Sequence, residues 1–217
     1  MPRFAGFADE AYDFYLGLVA DNSKSYWTEH KAVYERTVRE PMQALLDQLA
    51  PTFRAEPSMF RPHRDIRFSK DKSPYKTHQA GFLSAARGVG YYLSLGIDGL
   101  TIGGGFYTLD REQTKRFRAA VDNDATGPEL VTIVAKLEKH GFTIGGDQVR
   151  TRPRGVPADH PRLDLMRREY LTAGRDIDPS EAATPTFATT LKKDWQAMTP
   201  LVEWVMANAA PSLQEPE

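Results

Sequence analysis

The chain has no cysteine in its 217 residues. This excludes a disulfide framework, a thiolate nucleophile and any cysteine-ligated zinc or iron–sulfur centre. Net charge is nearly absent too, with 28 Lys and Arg against 29 Asp and Glu, a net of −1. Such a balance argues against a globally basic nucleic-acid-binding protein. Long apolar runs are missing. Mean hydropathy is −0.50, and no stretch approaches the roughly 18 apolar residues of a spanning helix, so no membrane partner is expected. The opening Met1-Pro2-Arg3-Phe4-Ala5-Gly6 lacks the apolar core of a signal peptide, and a cytoplasmic location is the expectation. There is no G-x-x-x-x-G-K phosphate loop, no G-x-S-x-G nucleophile elbow and no H-E-x-x-H zinc helix. The histidines His30, His63, His78, His140 and His160 show no ligand spacing, so no metal site is expected. Nothing in the pattern names a cofactor.

What is present suffices for a core: 41% of residues are hydrophobic, at a length suited to one domain. Phe7, Ala11, Phe14 and Leu18 recur at helical spacing and predict a helix over 8–20. Trp27, Lys31, Tyr34, Val38, Met42, Leu45 and Leu49 predict a longer one over about 25–49, kinked or restarted at Pro41, with Pro51 and Pro57 bracketing its exit loop. From His63 the period changes to two. Strands are expected over 63–69, 75–83, 90–97 and 100–107, with Asp71-Lys72-Ser73-Pro74 and Asp98-Gly99 as turns. Helices return at 110–122, opened by Asp110 and Gln113, and at 127–139, opened by Thr126-Gly127-Pro128-Glu129. Residues 142–152 suit one or two short strands. Asp159-His160-Pro161 opens a helix to about Leu171, 173–185 reads as loop, and 186–209 as a helix interrupted at Pro200. Trp27, Trp195 and Trp204 sit on helical stripes and are core candidates. The expected fold is a single α+β domain over 1–210, with a frayed tail at 211–217. An antiparallel sheet of four to six strands, its central meander over 61–107, is packed by N-terminal and C-terminal helices.

The even charge balance hides two basic blocks. Residues 61–78 carry six Lys and Arg against two Asp, and residues 150–168 carry six Arg against two Asp, a net of +4 each. The remaining residues therefore carry −9. Within the first block, the strand period puts His63, Asp65, Arg67 and Ser69 on one face and Arg64, Ile66 and Phe68 on the other. Lys70 and Lys72 stand at the hairpin tip, and Lys76 and His78 share a face of the return strand. Guanidinium forks and ammonium groups near a Ser hydroxyl suit a phosphate or carboxylate. A salt-bridge network that pins the hairpin is the competing reading, although exposed pairs contribute only about 0–1 kcal/mol each. In the second block, Arg152-Pro153-Arg154-Gly155-Val156-Pro157 is a stiff segment whose Arg154 is a candidate wall of a cleft. Asp159 suits a helix cap, and His160 is either exposed or an imidazole positioned at a helix start. Gly103-Gly104-Gly105 lies strand to strand. It marks a bulge, or a place where a ligand or another strand approaches the backbone.

The run Arg64 to Lys76 reads R-D-x-R-F-S-x-D-K-S-P-Y-K. In this it resembles an uncharacterised domain-of-unknown-function family, found in bacteria and fungi, of which that run is the hallmark. Matching pieces include Phe4-Ala5-Gly6-Phe7, Asn22 followed by Trp27, Lys31 and Tyr34, Tyr91-Tyr92, and Gly103-Gly104-Gly105-Phe106-Tyr107. Arg118, Arg152-Pro153-Arg154-Gly155 and Asp159-His160-Pro161 match as well. Tyr26-Trp27 departs from the expected Trp-Phe order. The resemblance covers roughly 4–170 and implies a single-domain family without an established activity.

The leading functional expectation is a pocket for a small anionic ligand, phosphate- or carboxylate-bearing. Its candidate residues are Arg64, Arg67, Ser69, Lys70, Lys72, Tyr75, Lys76 and Arg154. Whether chemistry follows is open. If it does, Asp65 and His78 are the candidate proton-transfer groups, with Arg67 and Lys72 stabilising charge. The alternative is a nucleic-acid or protein interaction module that uses the basic hairpin as a surface. A purely structural motif is the third.

Overall fold

The computed structural model describes residues 3–67, 70–107 and 110–210. Chain contacts divide it into two compact units. The first comprises 1–83, 92–102 and 176–193; the second comprises 84–91, 103–175 and 194–217. The sheet is six-stranded and antiparallel, in the order β1-β2-β3-β4-β6-β5, and the fold is α+β as expected. Its strands are β1 (Glu56–Met59), β2 (His78–Ala86), β3 (Val89–Gly96), β4 (Gly99–Phe106), β5 (Thr143–Gly145) and β6 (Leu171–Ile177). Strands β2, β3, β4 and β6 each contribute residues to both units. No helix among the described residues is long and apolar enough to cross a membrane.

In the first unit, helix α1 (Asp9–Ala20) buries Ala11, Phe14, Tyr15 and Leu18. Helix α2 (Lys24–Tyr34) is capped by Ser23, whose side chain accepts from the Tyr26 amide. A π-helical turn (Glu35–Arg39) then leads into α3 (Glu40–Phe53). This is the restart that Pro41 demands. The proline follows directly on the π turn and the backbone stays helical through the junction, so the wider turn accommodates the missing N–H and the ring. Pro51 does not end the helix. Helix α3 runs through it to Phe53 and stops at Arg54 in the left-handed region, φ 49°. Pro57 lies in β1 at the sheet edge, where a strand tolerates a missing donor. Gly81 of β2 faces Met42 and Leu46 of α3, which places the α3 layer against this strand.

The expected strand at 63–69 does not form among the described residues. The β pairing there, among the described residues, is an isolated bridge, His63 to Tyr75. The local cause is Asp65, whose carboxylate accepts from the Arg67 amide two residues on, at 3.2 Å. A side chain that bonds the adjacent backbone competes with a ladder. Phe68 and Ser69 lie outside the described residues.

In the second unit, α4 (Arg111–Asp122), α5 (Gly127–Lys139), the short α6 (Leu163–Met166) and the end of α8 (Phe187–Asn208) surround Phe106, Phe117, Val121, Leu130, Trp195, Leu201 and Trp204. Asp110 caps α4 through the Glu112 amide. Gln113, instead of closing a capping box, is buried and donates to the Arg87 carbonyl. Thr126 does not cap α5; its hydroxyl donates to Ala120 O at 2.6 Å. The helix expected over 159–171 shrinks to α6, and 171–177, expected as helix end and loop, is β6. Gly174, Arg175 and Asp176 weaken the strand signal there. Arg175 occupies a core-facing register position because Asp194 of α8 takes its guanidinium at 2.9 Å. The four-residue α7 (Pro179–Ala182) follows in the first unit. Helix α8 continues through Pro200 without a break. Beside the lost amide bond, the Thr199 hydroxyl donates to Trp195 O at 3.0 Å. The Gly103–Gly105 run serves close packing: a Cβ on Gly105, φ +133°, would meet Leu171 O at 2.4 Å, and one on Gly104 would meet Met198 Cβ at 3.0 Å. The approaching group is thus another strand and a helix.

Candidate functional site

Around His63 and Tyr75, the described part of segment 60–78 is held by backbone and aromatic contacts. The Arg64 amide donates to Pro74 O at 2.9 Å and the Lys76 amide to Pro62 O at 2.8 Å. These two bonds flank His63 and Tyr75, a non-hydrogen-bonded antiparallel pair whose side chains share a face. The N–H and C=O of Tyr75 then point away from His63, and the Asn22 carboxamide takes both. Asn22 Oδ1 accepts from Tyr75 N at 3.0 Å, and its Nδ2 donates to Tyr75 O at 3.1 Å. Asn22 directly precedes the Ser23 cap, so the start of α2 sets its position. One turn on, Trp27 stacks on the Tyr75 ring, centroids 4.4 Å apart and planes 7° apart. From the end of α2, Tyr34 donates its hydroxyl to Gln79 Oε1 at 2.6 Å; burial pushes this phenol up to about 12. Gln79 Nε2 in turn donates to Phe60 O at 2.7 Å and Ala80 O at 2.8 Å. Helix α2 thus fixes both ends of the loop. Tyr75, a ligand candidate from its position in the motif, is buried and anchors the loop.

This register decides where the charges go. His63 and Tyr75 face α2, so Arg64 and Lys76 project from the opposite side. His78 follows a bend at Thr77 and lies near enough to both for their charges to act on its ring. The three groups sense one another: desolvation around the ring, then the charges of Lys76 and Arg64, hold the His78 imidazole below its ordinary value of 6.5. The Lys76 ammonium stands 5.7 Å from the centre of the Phe60 ring. His78, Lys70 and Lys72 are exposed, and Arg64 and Lys76 are half-buried. Arg64 pairs with Asp71, which also accepts from the Ser73 amide at 2.9 Å. Those two bonds, Ser73 first, hold the Asp71 carboxyl below the usual range. Asp65 accepts from Arg67 Nε at 2.9 Å and Nη2 at 2.6 Å, and this fork lowers its pKa. A carboxylate so held stays ionised and is a weak proton acceptor. Lys72 Nζ donates to Ile66 O at 2.9 Å, closing the loop on itself. Ser69 lies outside the described residues.

Of the sequence candidates, the register gathers Arg64 and Lys76 with His78, and separately Asp65 with Arg67. The interactions that build the site are the ones sequence reasoning missed: the Asn22 clamp, the Phe60–Lys76 contact and the Gln79 tie. Their signal was faint. Asn22 stands out in the sequence as a match to a motif and Trp27 also as a core candidate on a helical stripe, and nothing in their spacing links them to Tyr75.

Arg154 belongs to the second unit and is exposed in a turn where Arg152 Nη1 donates to Val156 O at 3.1 Å. Arg162, Arg167 and Arg168 of this block also donate to the backbone. Arg167 donates from Nε and Nη2 to Val149 O, both at 3.1 Å, and from Nη2 to Arg150 O at 3.0 Å. Arg168 Nη1 donates to Gly145 O and Gly146 O at 3.0 and 3.2 Å. Arg118 reaches Met166 O at 2.9 Å and Arg168 O at 3.2 Å. The His160 side chain is 8% exposed. Its Nδ1 accepts from the Arg162 amide at 3.0 Å, which leaves Nε2–H to donate to Asp122 Oδ1 at 3.0 Å. Arg162 Nη2 donates to Asp122 O at 2.7 Å and pairs with Asp124 at 2.8 Å.

Fold and site together define an α+β protein whose sheet runs on into a clamped, outward-facing cationic loop. The chain belongs to the family of conserved hypothetical proteins DUF2461, whose model matches residues 10–204 and so includes all but the first residue of α1 and most of α8. No curated protein matches the chain.

Proposed function

We propose that the 60–78 loop binds a small anion bearing a phosphate or carboxylate, seated among Arg64, Lys76 and His78, with Lys70 and Lys72 at its outer end. The observation that carries this reading is the register. Two backbone bonds and the Asn22 clamp turn Tyr75 inward, and so turn Arg64 and Lys76 outward beside His78. Two cations on a fixed backbone lower the ordering cost of binding. Desolvation is the larger cause of the lowered His78 pKa, and the charges of Lys76 and Arg64 add to it; this second part is the positive potential that an anion meets. Asp71 and Asp65 act as internal counterions for Arg64 and Arg67, which an incoming oxyanion replaces.

A thermal-shift panel of phosphate, sulfate, citrate and sugar phosphates at low salt tests the reading. A ligand at a hundred times its dissociation constant stabilises by about 2.7 kcal/mol, roughly 5–10 °C here. The expected result is such a shift for at least one small anion, lost in Arg64→Ala and Lys76→Ala. A flat panel, or a shift that both variants retain, overturns it.

A further inference from the structure

Resting on that anion-binding reading, we propose that the ligand is a nucleoside phosphate, its phosphate on Arg64, Lys76 and His78 and its base on the Phe60 ring. Phe60 is 47% exposed, although it is a large apolar side chain at the rim of a well-packed unit. Its place is fixed. The amide donates to Ala80 O at 3.0 Å and the carbonyl accepts from Gln79 Nε2 at 2.7 Å. This pairing puts the ring on the side of the chain away from α2, where Lys76 projects. The Lys76 ammonium already lies 5.7 Å from its centre. Across from His78 stands Gly96, where even an added Cβ would only graze His78 Cβ at 3.7 Å. The flank of the imidazole is therefore bare on the β3 side. An exposed aromatic ring on a tied backbone, with the Lys76 ammonium over one face and a second cation and a histidine near that lysine, can take a flat base on its other face and the phosphate on the cations. A sugar phosphate without a ring would satisfy the cations and leave Phe60 uncovered.

Equilibrium binding of inorganic phosphate, ribose 5-phosphate and AMP to the full chain, at fixed low salt, separates the two readings. AMP is expected to bind about tenfold tighter than ribose 5-phosphate. In Phe60→Ala the AMP affinity should fall to that of ribose 5-phosphate, which itself should not change. Phe60→Trp should restore the gap. If AMP and ribose 5-phosphate bind the wild-type chain equally, the assignment of a base to Phe60 is overturned and the anion site stands. If none of the three binds, the anion reading falls and takes this one with it. A short single-stranded adenylate identifies the source. A salt dependence equivalent to one or two released ions marks a free nucleotide, and a steeper one marks a strand.

Discussion

The two basic segments, 61–78 and 150–168, have the same composition, six cations and two aspartates each. They use it in opposite ways. In the second, Arg162, Arg167 and Arg168 each donate to main-chain carbonyls around them, and Arg162 also pairs with Asp124. The guanidinium supplies there the hydrogen bonds that a strand ladder would supply elsewhere. In the first, the backbone around Tyr75 is satisfied by its own cross-loop bonds and by Asn22; Lys72 reaches the Ile66 carbonyl, whereas Arg64 and Arg67 pair with carboxylates. Charge density alone therefore does not locate a binding site. What distinguishes the segments is who satisfies the backbone.

Breaking the second segment should have the largest effect on stability. Arg168→Ala removes donors to Gly145 O and Gly146 O, and hydrogen bonds from charged groups are worth about 1.5–3 kcal/mol. The melting temperature should drop by roughly 3–12 °C with small-anion binding intact. Asn22→Ala comes next. Losing two bonds to Tyr75 should cost about 1–3 kcal/mol, and here anion binding should weaken together with stability. Calorimetric melts with and without sulfate separate the two variants. Lys76→Ala should leave the melting temperature within about 2 °C, as surface substitutions do, and remove the anion-induced shift. If it destabilises the chain as much as Arg168→Ala, the segments do not differ in the way described.

The smallest effect is in pH. The folded chain holds His78 below 6.5, so it binds fewer protons there than the unfolded chain. Stability from this source is complete above 6.5 and is lost as the pH falls through the depressed value. His78→Gln should flatten that acid limb in denaturant melts at stepped pH. Sulfate keeps its charge across this range, so its affinity should rise toward low pH in the wild-type chain and not in His78→Gln.

Much of the helical frame was legible. The stripes through Phe14 and Leu18 and through Trp27 and Tyr34 fixed the helices and their buried sides, and Pro41 announced its restart. Strand β6 was not legible, because Arg175 at a core-facing position makes sense only once Asp194 arrives from α8. The loop at 63–76 was half legible. Its charges could be read from the sequence. Its anchoring could not, since Asn22 meets Tyr75 across 53 residues. Which side meets a helix was not legible either: His63 and Tyr75 lie toward Trp27 of α2, and Arg64 is half-buried and paired with Asp71.

The most direct test of the account is the titration of His78 followed by NMR of its imidazole, assigned with His78→Gln, with and without sulfate. The account predicts a midpoint below 6.5 without sulfate, moving upward when sulfate sits against Arg64, Lys76 and the ring. A midpoint that sulfate leaves unchanged, while the anion is shown to bind the chain, would place the anion elsewhere and contradict it.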